Sequence, residues 1–206
     1  MATINLQKGQ KIDLTKGNPG LSKILVGLGW DEVAGKPKSG GLLGGLFGGG
    51  SSSAAIDCDA SAILLNDQNK LTSKERLVYF GNLQSADKSV KHTGDNLTGA
   101  GEGDDEQIQV DLSKVPSDVQ KIVFVVNIYD CMKRKQDFGL ISNAFIRVVN
   151  PVNGQEFCRF NLTESYAGRT SLVVAEVYRH NNEWKFDAIG EGSNDASLSE
   201  LVRRYQ

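Results

Sequence analysis

Gln107-Ile108-Gln109-Val110-Asp111-Leu112 and, shortly after it, Lys121-Ile122-Val123-Phe124-Val125-Val126 decide the fold. The first stretch alternates polar and apolar residues strictly, the period of a strand with one face in a core and the other in water. The second keeps an unbroken apolar run from Ile122 to Val126, as a central strand covered on both faces does. Outward from these two, short β-rich runs recur along the chain. Thr3–Leu6 and Lys11–Leu14 read as a hairpin around Gly9. Leu21–Trp30, Ile56–Leu65, Leu77–Phe80, Asn143–Val149, Glu156–Asn161, Leu172–His180 and Glu183–Ile189 read as further strands. His180-Asn181-Asn182-Glu183 reads as a hairpin turn between the last two. Helix is scarce. Val115–Gln120 could form one turn. Ser197–Tyr205 is a better helix, with Leu198, Leu201 and Val202 on one face and Arg203 and Arg204 at its C-terminal end, where cations suit the helix dipole. About ten strands, short helices and a C-terminal helix predict a mainly all-β chain, a β-sandwich, in a single domain over residues 1–206.

One segment departs from this pattern. Ser39 to Ser53 contains eleven Gly or Ser among fifteen residues. Glycine at that density disfavours helix and strand alike, so the stretch is expected to be a flexible insert. Its four other residues, Leu42, Leu43, Leu46 and Phe47, could share a helical face and touch a partner or a membrane surface. The absence of basic residues within the stretch makes peripheral membrane contact the weaker option.

The composition excludes several functions. A formal net charge of −2 over 206 residues argues against an electrostatic nucleic-acid partner. No stretch approaches the ~18 apolar residues of a membrane span, and Met1 to Lys8 has no apolar signal core, so a cytoplasmic location is expected. Cys58, Cys131 and Cys158 are odd in number and widely spaced, which fits buried thiols better than a disulfide framework. His92 and His180 are isolated and no CxxC pair occurs, so a zinc site is not expected.

The chemistry gathers at Asp95-Asn96-Leu97-Thr98-Gly99-Ala100-Gly101-Glu102-Gly103-Asp104-Asp105-Glu106. From Asp95 to Asp111 there are six acids and no base. Two carboxylates about 4 Å apart repel by roughly 4 kcal/mol at an effective dielectric near 20, so a loop that gathers several needs a cation or must hold them apart. Gly99, Gly101 and Gly103 allow tight turns that aim carbonyl oxygens inward. Oxygen donors of this kind suit Ca²⁺, with room for more than one ion; Mg²⁺ ranks second because it retains more water. The spacing is not an EF-hand: Leu97 and Gly99 occupy positions that need side-chain oxygens, and Ala100 stands where glycine is required. A solvated acidic loop is the competing reading. In Asp57-Cys58-Asp59 the strand period sends both carboxylates to one face. Asp67 and Asp130, at strand ends, and Glu102 are secondary donors. His92 is the one base near the loop, which keeps a metal-dependent hydrolase open as the alternative. A third reading, capture of a toxic metal by thiols, would need the three cysteines to converge.

These same residues resemble the TerD family of bacterial tellurite-resistance and stress proteins. The matching stretches are Asn5–Gln10, Leu28–Asp31, Asp57–Ser61, His92–Gly99, Gly103–Glu106, Lys121–Val126 and Asn143–Arg147, nearly the whole chain apart from the insert. The resemblance implies a β-sandwich that binds calcium at one end. It places the acidic motif on Asp95, Asn96, Gly99, Gly103, Asp104, Asp105 and Glu106, with Asp57 and Asp59 nearby. It also implies a non-enzymatic role in resistance to tellurite and other chemical stress, alongside other stress-response proteins, including members of the same family. Cys58 stands where the family has an apolar residue, a conservative change. The insert is the larger departure.

Overall fold

The computed structural model describes residues 2–33, 56–94 and 103–206. Among them, twelve strands form two six-stranded sheets. The first runs β1 (Ile4–Leu6), β10 (Glu156–Asn161), β9 (Ile141–Val149), β3 (Lys23–Glu32), β7 (Glu106–Asp111), β6 (Val90–His92). The second runs β2 (Lys11–Asp13), β12 (Glu183–Ser193), β11 (Ser171–His180), β8 (Lys121–Ile128), β4 (Cys58–Leu65), β5 (Leu77–Val78). Every pairing is antiparallel except β1 with β10.

The alternation in β7 does what its sequence predicts: Glu106, Ile108 and Val110 are buried, and Gln107, Gln109 and Asp111 are not. Ile108 and Val110 join Ile24, Val26 and Leu28 of β3 against Ala60, Ala62 and Leu64 of β4 and Ile122, Phe124 and Val126 of β8, so one core lies between the sheets. The apolar run of β8 is also explained. Its other face, Val123 and Val125, packs with Ile63, Leu65 and Val173 under Leu201 and Val202 of the C-terminal helix α2 (Leu198–Val202). Burial of those two side chains contributes about 1.5–3 kcal/mol each, enough to hold a helix this short. Its start is capped: Ser197 accepts from the Glu200 N–H, and Glu200 accepts from the Ala196 N–H. A 3-10 turn, Arg203–Tyr205, extends it. Asn181 and Asn182, at φ 53° and 62°, form the left-handed tight turn expected between β11 and β12.

Two expectations are corrected. The two N-terminal segments are not a hairpin. β1 pairs with β10 in the first sheet and β2 with β12 in the second, so this end of the chain lends one edge strand to each sheet. Val115–Gln120 is a turn closed by Val119 N–H on the Pro116 carbonyl, not a helix. A short helix instead forms at α1 (Cys131–Arg134), flanked by Asp130 and Lys135 in the left-handed region. The expected insert with Leu42, Leu43, Leu46 and Phe47 lies outside the described residues. Among the described residues no helix is long and apolar enough to cross a membrane.

Candidate functional site

Asp95, Asn96, Gly99 and Glu102 lie outside the described residues. Both ends of their segment are pinned. On one side, Gly94 N–H donates to His92 Nδ1 at 3.1 Å. That leaves the ring proton on Nε2, which meets Glu106 Oε2 at 2.7 Å. The same Glu106 oxygen accepts from Ala60 N–H at 3.2 Å. Glu106 is 1% exposed and His92 is equally buried. One carboxylate therefore ties β6 and β7 of the first sheet to β4 of the second, the strand that begins at Cys58 just after Asp57.

On the other side, Gly103 sits at φ 118°, a region that side-chain-bearing residues rarely adopt. Asp104 then turns onto the outer face of the first sheet. Its side chain is fully buried and gripped by Arg147, Nε to Oδ1 at 2.7 Å and Nη2 to Oδ2 at 3.0 Å, with Gln107 Nε2 adding a third bond at 3.1 Å. Two strand glycines make room. A Cβ on Gly27 would lie 2.3 Å from the Asp104 carboxylate, and one on Gly29 would lie 2.5 Å from the Phe145 ring and 2.7 Å from the Gly103 carbonyl. Arg159 stacks on that ring at 3.5 Å. Asp104 in turn raises the Arg147 guanidinium above its ordinary value. Asp105 N–H donates to the Leu28 carbonyl, and its Oδ2 accepts from Trp30 N–H at 2.7 Å. Burial lifts the Asp105 carboxyl above its usual range. The Trp30 bond opposes the shift, and the charges of Asp31 and Asp104 add to it.

The other predicted donors disperse. Asp57 precedes β4; its carbonyl accepts from Tyr129 N–H, and its Oδ2 lies 3.4 Å from Arg134 Nη1. Asp59 is 5% exposed, opposite Asn127 of β8, and lines a cleft on the outer face of the second sheet. Asp130 is a left-handed turn residue at the head of α1, with Lys133 Nζ at 3.5 Å. Asp67 follows the far end of β4, about 20 Å or more from Asp59 at the rise of a strand, so the two do not share an ion. Among the described residues no three of these acids converge on one point. Two motif acids that read as donors thus serve as braces: Asp104 holds Arg147, and Glu106 holds His92 and Ala60.

His92, the candidate base of a hydrolase, is buried and has Nδ1 occupied by Gly94, so proton abstraction from a substrate has no geometric support. The three thiols are buried as well. Burial raises all of them, Cys158 to about 12, and thiolate is the reactive form. The native chain is therefore expected to give less than one fast-reacting thiol with Ellman's reagent at pH 8, and three after denaturation. Rapid stoichiometric labelling of the native chain would revive a thiol mechanism. Sequence reasoning missed Arg147, Gly27 and Gly29. The signal was present in Gly27 and Gly29, two glycines on one face of a strand, which mark close approach of another group.

The family model described as TerD domain matches residues 1–205. The stress response protein SCP2 of Bacillus subtilis (strain 168) is 58% identical over 202 residues, 98% of each protein. General stress protein 16U of the same organism is 47% identical over 190 residues, 92% of this chain and 91% of the relative. The tellurium resistance protein TerD of Serratia marcescens is 43% identical over 190 residues, again 92% and 91%. A solved homologue of telluride resistance protein (TerD) from Streptomyces coelicolor A3(2) superposes with a TM-score of 0.63 at 19% identity, covering 88% of this chain and 98% of that one. At that identity the likeness speaks for the fold.

Proposed function

The chain belongs to the TerD domain family, and from that premise we propose that it is a calcium-binding stress-response protein, acting without a catalytic step in resistance to tellurite and related chemical stress. The supporting observation is the Glu106 bridge. It tethers the base of the acidic segment to β4, the strand that Asp57 precedes and that carries Asp59. The donor chemistry fits a hard cation: carboxylates, amide and backbone oxygens, with the one nearby imidazole engaged and the Cys58 thiol buried in the core. Asp105, with Asp57 or Asp59, would hold the ion together with donors from Asp95, Asn96 and Glu102. Ca²⁺ would neutralise the carboxylates. The partners in this reading are other stress-response proteins, including members of the same family.

The test is thermal. Calcium at a hundredfold excess over its dissociation constant adds about 2.7 kcal/mol, which raises the melting temperature of a chain this long by roughly 5–10 °C. EDTA reverses the rise. Asp105→Asn removes it, whereas Asp67→Asn, at the far end of β4, leaves it intact. An unchanged melting temperature in millimolar calcium, with no heat in a titration, would overturn the reading.

A further inference from the structure

The cleft lined by Asp59 has a composition that calcium binding does not account for. It encloses about 380 Å³ between the end of β5, the end of β8 and the start of α2. Phe80 and Tyr129, 46% and 47% exposed, form part of its wall and meet edge to face at 6.4 Å and 85°. Tyr79 meets Phe80 edge to face at 5.3 Å. Large aromatic rings left this open, around a concavity with a polar floor, mark binding surfaces more often than structural ones. The floor contains Asp59 and Asn127, cross-strand neighbours that are each 5% exposed. Asn127 Oδ1 is buried with no hydrogen-bond partner among the described residues. A buried amide oxygen left in that state is costly, and it is relieved by a ligand that brings a donor. Asp130 stands at the rim.

Carboxylate, amide oxygen and ring faces all favour a flat, positively charged donor. A phosphate-bearing ligand would meet like charge, and aromatic walls offer a metal ion no ligands. An ammonium carries charge but is not planar; a guanidinium stacks on a ring while its fork of N–H groups serves two acceptors at once. The chain uses this combination on the cleft's own wall. Arg134 lies 5.2 Å from the Tyr129 ring centroid, and its Nη1 reaches Asp57. We propose that this cleft binds a guanidinium group, with Asn127 and Asp59 accepting its N–H bonds, Phe80 stacking on its plane and Tyr129 meeting it at the edge. The group is carried either by an arginine side chain of a polypeptide partner or by a small free guanidine.

The test uses the full ¹⁵N-labelled chain, titrated with N-acetyl-arginine methylamide in EDTA and again in calcium. The expected result is saturable shifts at the Asn127 side-chain amide and at Tyr129 and Asp130, with the lysine analogue at least tenfold weaker. Phe80→Ala, at an exposed position, and Asn127→Leu each weaken binding at least tenfold while leaving the calcium-induced rise in melting temperature in place. Failure here is thereby separable from failure of the calcium reading, with which the cleft shares only Asp59. A peptide with a central arginine that binds tighter than the capped amino acid points to a polypeptide source; equal affinity points to a small guanidine. No shift at the cleft up to about 10 mM probe, or undiminished binding in Phe80→Ala, overturns the proposal.

Discussion

Glu106→Ala is expected to lower the free energy of unfolding by about 3–5 kcal/mol, the largest loss for any single substitution in the acidic motif. The carboxylate is 1% exposed and accepts from both the His92 ring and the Ala60 N–H. Its removal leaves two buried donors without that acceptor, each costing about 1–3 kcal/mol, and opens a cavity beside them. The loss is mechanical as well as energetic, because the bond spans β7, β6 and β4. Glu106→Gln keeps an acceptor oxygen at the same reach and is expected to cost about half as much. Urea unfolding in EDTA measures both variants with no contribution from bound metal. A Glu106→Ala variant as stable as the parent in EDTA would show that the bridge is not a structural brace.

That prediction also separates what the sequence discloses from what it conceals. The strict alternation of Gln107–Leu112 and the apolar run Ile122–Val126 are local patterns, and each appears in the structure as read, with the two faces of β8 meeting two different covers. Partner choice is not local. Thr3–Leu6 and Lys11–Leu14 were legible as strands, but nothing in them says that each joins a different sheet. The three residues of β6 and the four of α1 are too short to show a period. The candidate site divides in the same way. A run of acids without a base reads as a set of metal donors because charge is counted along the chain. The cation that engages Asp104 is Arg147, 43 residues away, and the groups that engage Glu106 belong to two other strands. Counting acids along the chain therefore does not show which of them already have partners in the fold. The alternation of Asp57-Cys58-Asp59 was correct about Cys58, which faces the core, but it could not show that Asp59 opens onto an aromatic cleft.

Gly27→Ala offers the sharpest check on the role of Asp104. Gly27 does not use a left-handed backbone, so alanine can adopt its conformation, and in an ordinary strand the change would be neutral or mildly stabilising. Here the new Cβ would fall 2.3 Å from three atoms of a carboxylate held in place by Arg147. Either the strand moves or Asp104 gives up its ion pair, and a loss of about 2–4 kcal/mol is expected. Asp104→Ala alone is expected to cost about 2–3 kcal/mol, below the full value for a broken buried pair because Arg147 is 29% exposed and keeps Glu156 at 3.0 Å. The two changes act on one contact, so they should not add. With the carboxylate gone the obstacle is gone, and Gly27→Ala in the Asp104→Ala background should cost nearly nothing, a coupling of about 2–4 kcal/mol between the substitutions. Denaturant midpoints for the parent, both single variants and the double variant close this cycle. Additive losses would mean that Gly27 serves some purpose other than seating Asp104.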